Sequence, residues 1–210
     1  MKKKFIFTFL FLLIFYKISI LLGVEIDVTE GKIEPLPIAI VEFNQENKNE
    51  DNYSSKIQNI ISNNLGNTGL FKILPNDSFL QSESEVFFQP LFSDWKLIDA
   101  NFLVSGKVTL ENNRLKVNFK LWDVYQEKLV INKNISGVTI SDWRILSHII
   151  SNLIYEKITG EKGYFDTKLV YVAEEGTQAK KIKKLAIIDH DGNNHEILTD
   201  GNELVLTPMF

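Results

Sequence analysis

His148, His190 and His195 are the only imidazoles in a chain of 210 residues that has no cysteine. Disulfides, thiolate nucleophiles and cysteine-ligated zinc are thereby excluded, and nitrogen-based metal binding is left to those three rings. His190 and His195 bracket Asp191 in the stretch His190-Asp191-Gly192-Asn193-Asn194-His195. Asp-Gly between two short apolar runs is a hairpin signal, whereas a metal site needs converging ligands with an outer shell of support, so the stretch reads as a solvated turn. His148, just before Ile149 in a helical pattern, reads as a helix-flank residue and not as a catalytic base. Ser105-Gly106 and Ser136-Gly137 lack a glycine two residues before the serine, so no nucleophile elbow is present. Neither a dinucleotide fingerprint nor a phosphate loop occurs. The loop over residues 44–52 carries Glu46, Glu50 and Asp51 beside Lys48, but without the carboxylate spacing and turn glycine of a calcium loop it reads as a solvated connection. The expectation is therefore no catalytic residue, no metal, no cofactor and no small-molecule substrate. A net charge of −4 leaves no basic surface to neutralise phosphates, which argues against nucleic-acid binding.

The elements of the fold are marked by periodicity. Trp143, Leu146, Ile149, Ile150, Leu153, Ile154 and Ile158 recur at three- and four-residue steps, which predicts a helix over residues 141–160. Ser141 is placed to accept from its first amides, Asp142 suits its positive end, and Gly160 can close the other end in the left-handed conformation. Tyr53, Ile57, Ile60, Ile61 and Leu65 mark a second helix that Gly66 is expected to stop. Ile38-Ala39-Ile40-Val41, entered through Pro35 and Pro37, reads as a strand buried on both faces, and Phe71 to Leu74 as a short strand. The stretch 79–89 gives no clear pattern, and Ser93-Asp94-Trp95 repeats the helix-start chemistry of Ser141-Asp142-Trp143. Residues 102–110, 115–124 and 128–135 form an antiparallel meander. In its middle run Leu115, Val117, Phe119 and Leu121 alternate with polar residues, so one face is core. The helix after Ser141 is the natural cover, which gives an α/β domain: a two-layer α+β arrangement with a mixed sheet covered by helices.

After residues 159–163, read as a short domain junction, the period changes from helical to alternating. Strands are expected over residues 168–174, 184–189 and 195–199, with a charged loop through Lys180-Lys181 and another run at Leu204-Val205-Leu206. Such a meander is one blade or a fragment of something larger, because it cannot bury its own faces. At the other end, Lys2-Lys3-Lys4 precede an unbroken apolar run from Phe5 to Tyr16, the layout of a secretory signal over residues 1–23. The alternative is an uncleaved anchor over residues 5–24, since about twenty residues at roughly 1.5 Å each span a bilayer, although Lys17 and Ser19 interrupt the run. No cysteine follows it to accept a lipid.

Taken in order, several stretches resemble the TolB family of the Tol-Pal cell-envelope system. They are Val28-Thr29-Glu30-Gly31 with Glu34-Pro35-Leu36-Pro37, Thr68-Gly69-Leu70-Phe71, Phe92-Ser93-Asp94-Trp95, and Leu121-Trp122-Asp123-Val124. The closest stretch is Lys157-Ile158-Thr159-Gly160-Glu161-Lys162-Gly163-Tyr164-Phe165-Asp166-Thr167, followed by Lys184-Leu185-Ala186-Ile187-Ile188-Asp189 and Leu198-Thr199-Asp200-Gly201. The resemblance implies an α/β domain over residues 24–162 and the start of a β-propeller over residues 163–210. It also implies a periplasmic, non-enzymatic role in outer-membrane integrity and cell division. Two partners follow from it: a TolA-like protein at the mature amino terminus, and the lipoprotein Pal, mainly through the propeller. The family has five further blades where this chain stops at Phe210, so an incomplete propeller blade and a truncated product are expected. The alternatives are an inner-membrane-anchored interaction domain or the propeller-bearing fragment of a hydrolase.

The candidate partner-binding residues are Val24, Glu25, Ile26, Asp27, Val28 and Thr29. Val24, Ile26 and Val28 fall on one side of an extended chain and Glu25 and Asp27 on the other, so the segment is suited to add to the edge of a TolA-like partner's sheet. The same alternation also suits a strand paired permanently inside its own domain.

Overall fold

The computed structural model describes residues 34–45, 52–177 and 180–202. The signal segment, the strand expected over Val24 to Thr29, most of the loop over residues 44–52 and the run at Leu204 to Leu206 lie outside the described residues.

Strands β1 (Leu36–Ile40), β2 (Asn44–Gln45), β3 (Phe71–Ile73), β4 (Phe102–Glu111), β5 (Arg114–Asp123) and β6 (Lys128–Thr139) form one six-stranded sheet. Its order is β3-β1-β4-β5-β6, with β2 beside β4. β1 runs parallel to both β3 and β4, while β4, β5 and β6 are antiparallel, so the sheet is mixed. Helices α1 (Tyr53–Asn67) and α4 (Trp143–Thr159) cover one face, where Ile38, Ile40, Ile57, Ile61, Val117, Phe119, Leu146 and Ile150 share a core. On the opposite face Ala39, Val41, Leu103, Trp122 and Val124 pack with Val86 and Trp95 of the short helices α2 (Glu83–Phe88) and α3 (Phe92–Leu97). β1 therefore meets apolar neighbours on both sides, which is why Ile38-Ala39-Ile40-Val41 is continuously apolar.

Several local expectations are corrected. Ser141 does not cap α4: residues Ile140–Asp142 make a 3₁₀ turn, Asp142 stands at the cap, and its carboxylate accepts from the Thr139 hydroxyl at 2.5 Å. Gly160 does close the helix, with φ of +79° and its amide on the Glu156 carbonyl at 2.9 Å. Ser93 lies inside α3 and does not cap it either. Gly66 does not stop α1, which continues to Asn67 and turns at Gly69 with φ of +73°. A Cβ at Gly66 would stand 3.2 Å from Ile73 Cγ1, so its smallness serves packing against β3. Helix α2, in the stretch without a legible pattern, is opened by Ser82-Glu83-Ser84-Glu85: the Ser82 amide and hydroxyl both donate to Glu85, at 2.9 and 2.6 Å.

The second sheet has order β7-β8-β9, all antiparallel, from β7 (Lys168–Thr177), β8 (Lys180–Asp189) and β9 (Glu196–Ile197). β7 and β8 pair from Lys168↔Asp189 to Thr177↔Lys180, so Lys180 and Lys181 belong to a strand and not to the expected loop. Cross-strand ion pairs between Lys181 and Glu174 (2.6 Å) and between Lys184 and Glu175 (2.8 Å) explain how a charged stretch extends the ladder.

Candidate interaction site

The residues expected to bind a partner, Val24 to Thr29, lie outside the described residues. The three histidines do not converge. His195 lies beside the Tyr171 ring at 6.0 Å, and His190 meets the edges of Tyr164 and Phe165 at 5.4 and 5.6 Å. Among the described residues no group of three or more histidines and carboxylates is placed to hold a metal, and no helix is long and apolar enough to cross a membrane.

His148 is not on the helix flank. It is 3% exposed, facing α1 and the turn that follows β8. Its Nδ1 stands 2.9 Å from the Asn64 side-chain nitrogen, and its Nε2 stands 3.4 Å from Asp191 Oδ2. The Asn64 amide also donates to Ser151 Oγ at 2.9 Å. The same Asp191 oxygen accepts from the Arg144 guanidinium, whose Cζ lies 5.3 Å from the centre of the Trp143 ring. The turn is solvated over Gly192 to His195, as expected, but its Asp191 side chain is seated: it is 15% exposed and Arg144 is 20% exposed. Burial would raise the Asp191 pKa, but the Asn193 amide and the Arg144 charge outweigh it and hold the carboxyl below its ordinary value. A cleft of about 260 Å³, lined by Ile60, Asn63, Asn67, Arg144, Asp191 and Asn193, opens beside this pair.

Helix α4 also holds the start of the second sheet. Asn152 Oδ1 accepts from the Phe165 amide and Asn152 Nδ2 donates to Asp166, both at 2.8 Å, while Phe165 is buried to 1% and Gly163 packs directly on Asn152. Sequence reasoning missed Asn64, Arg144 and Asn152. A signal was there: Asn64 falls on the buried side of a helix otherwise lined by Ile57, Ile61 and Leu65, and Ser151 does so between Leu146 and Ile154. Polar residues in the apolar register of two helices must find partners, and these two helices supply them to each other.

The chain matches the family model described as the TolB amino-terminal domain over residues 24–130, and that of the TolB beta propeller domain over residues 155–210. It is 45% identical to the Tol-Pal system protein TolB of Pelagibacter ubique, over 89% of this chain and 44% of that protein. It is 44% identical to the protein of the same name from Rickettsia prowazekii, over 88% of this chain and 42% of that protein. The chain thus spans less than half the length of these curated relatives. The crystal structure of TolB from Acinetobacter baumannii superposes with a TM-score of 0.71 at 24% identity, covering 83% of this chain and 41% of that one, a likeness of fold. With both models matched in the same order as the two sheets of the structure, the chain belongs to the TolB family.

Proposed function

We propose that this chain is a periplasmic, non-enzymatic interaction component of the Tol-Pal system that links a TolA-like protein to Pal and supports outer-membrane integrity and cell division. The observation that carries the reading is the order of the two matches: an amino-terminal domain followed by the start of a propeller. The division into an exported leader over residues 1–23, a domain over 24–162 and a propeller portion over 163–210 belongs to the same proposal. Val24, Glu25, Ile26, Asp27, Val28 and Thr29 are the TolA-recognition segment, presented as an added strand with its two carboxylates raising the association rate toward a basic surface. Pal engages mainly the propeller, of which residues 163–210 are the start.

The test is deletion of residues 24–29, with binding to a TolA-like periplasmic domain measured beside thermal unfolding. Loss of binding with an unchanged melting temperature is expected. Retained binding with a drop of several degrees overturns the assignment, because losing an internal strand removes burial at about 25 cal/mol per Å². A pull-down with Pal should retain less Pal on residues 24–210 than on a TolB with a whole propeller, and equal retention would place the Pal surface within residues 24–210.

A further inference from the structure

Helices α2 and α3 lie on the face of the six-stranded sheet opposite α1 and α4, and they leave large apolar side chains in solvent. Phe88 at the end of α2 is 71% exposed, Leu91 at the start of α3 is 56% exposed, and Leu80 in the loop before α2 is 68% exposed. The three stand around one junction. Gln81 Oε1 accepts from the Leu91 amide and from Trp95 Nε1, each at 2.8 Å, which ties the loop carrying Leu80 to the start of α3. Only Gln89 and Pro90 separate Phe88 from Leu91. The second sheet is attached at α4, on the other face, so the exposure here is not that of an unfinished blade. Clustered apolar side chains rimmed by polar groups mark a contact surface.

The rim is acidic. Residues 76–99 carry Asp77, Glu83, Glu85, Asp94 and Asp99 against a single lysine, Lys96, which Glu127 holds at 2.6 Å. Lys120, which reaches α2 from β5, donates to the Phe87 carbonyl at 2.7 Å. Beside Leu80 a cleft of about 200 Å³ runs between the end of β1 and the same loop. Val41 and Phe79 wall it, Glu42 and Glu83 bring carboxylates to it, and no basic side chain lines it. Its chemistry suits a long cationic side chain, with an aliphatic stem against Val41 and Phe79 and an ammonium or guanidinium at the carboxylates. The same charge excludes other occupants. In a two-fold contact between copies of this chain these acids would confront one another, and an anionic membrane surface would be repelled.

We infer that the junction of α2 and α3 is a docking surface for a basic protein segment, which lays apolar side chains on Leu80, Phe88 and Leu91 and sends a lysine or arginine into the cleft at Glu42 and Glu83. The surface is separate from both of those in the proposed function, the segment over residues 24–29 and the propeller. Burial at the three apolar side chains supplies the affinity, and the carboxylates select the sign of the partner and speed its approach.

The test titrates the full chain with three short synthetic peptides, one of leucine and lysine, one of leucine and glutamate, and one of serine and lysine. Proton–nitrogen NMR should show the leucine–lysine peptide shifting the amides over residues 79–91, with the other two binding more weakly by about tenfold or more. Phe88→Ser, at an exposed position, should leave the melting temperature unchanged and weaken the leucine–lysine peptide about tenfold, the loss expected when one large apolar side chain is no longer buried. Glu83→Gln should weaken it about twofold to fivefold at low salt and have no effect in molar salt. Leu169→Ser, on β7, should leave the affinity as it was. A benzoylphenylalanine in place of Phe88 sorts the occupants under light. Cross-linking to the peptide supports the surface, whereas cross-linking to residues 1–33 of the same chain, or to a second copy, makes that segment or that copy the occupant and overturns the proposal. Shifts spread over the whole chain, equal affinity for the serine–lysine peptide, or a Phe88→Ser variant that binds as its parent does would overturn it as well.

Discussion

β5 and β7 are both ten-residue strands with a face lined by apolar side chains, Leu115 to Leu121 in β5 and Leu169 to Ala173 in β7, and those faces end in opposite situations. Leu115, Val117, Phe119 and Leu121 of β5 are each 0% exposed beneath α1 and α4. Leu169 of β7 is 56% exposed and Tyr171 is 39% exposed, and Ile182 of β8 and Ile197 of β9 stand equally open at 40%. Alternation in a sequence tells which side of a strand is apolar; it does not tell whether anything lies on top. For the six-stranded sheet the cover is encoded nearby, in two helices whose apolar stripes match its face. The three-stranded sheet has no such helix among the described residues, and it is held by its ladder, its cross-strand ion pairs and its attachments to α4.

The sharpest way to break this contrast is to remove one aromatic side chain from each sheet. Phe119→Ala should destabilise by about 3–5 kcal/mol, the range for a large buried side chain leaving a cavity. Tyr171→Ala, at a position already 39% exposed, should cost less than about 1 kcal/mol. Urea unfolding followed by tryptophan fluorescence checks both, and equal losses would mean that the small sheet has a core of its own.

Packing density gives a second, smaller contrast. A Cβ on Gly106 would stand 2.5 Å from Phe43 Cδ2, and Phe43 is 0% exposed, so neither side can yield. Gly106→Ala should cost about 1–3 kcal/mol through overpacking. Adding Phe43→Leu should recover part of that loss, and the double-mutant cycle reads the coupling directly. Strict additivity of the two changes would show that the clash is relieved by backbone movement.

The attachment between the sheets is the next place to test. Asn152→Ala removes the acceptor of the Phe165 amide and the donor to Asp166, at a cost of about 1–2 kcal/mol. The loss should be local: faster exchange of the Phe165 amide and faster proteolysis after residue 163, with the region over 53–159 as resistant as before. Equal acceleration in both regions would show that they unfold as one.

How much of this was legible before the structure follows from the same physics. Helix and strand identities came from periodicity, and the core positions Ile57, Ile61, Phe119, Leu146 and Ile150 follow directly from it. Helix starts were misplaced at Ser141 and Ser93, because a serine before an apolar run offers a cap without showing that the backbone turns there. The extension of β7 and β8 through Lys180 was hidden because lysine-rich stretches look like loops until the facing glutamates are known. The seating of Asp191 was hidden for the same kind of reason, since its partners Arg144 and His148 lie more than forty positions upstream.

The smallest effect concerns the turns of the meander. Asn112 and Asn113 take positive φ between β4 and β5, a region that asparagine tolerates. Glu127 takes φ of +54° between β5 and β6 without that tolerance. A side chain in the left-handed region costs roughly 1–2 kcal/mol, of which asparagine recovers a part. Against this stands the Glu127 ion pair with Lys96 at 2.6 Å, whose side chains are 55% and 34% exposed, and exposed pairs contribute about 0–1 kcal/mol. The two terms are close, and backbone relief is the larger. Glu127→Asn should therefore stabilise by a few tenths of a kcal/mol up to about 1 in low salt. In molar salt the Debye length contracts to about 3 Å, the lost pair no longer counts, and the gain should grow. Melting temperatures of the two proteins at low and molar salt measure both terms, and a variant less stable than its parent in molar salt would show that the turn holds Glu127 without strain.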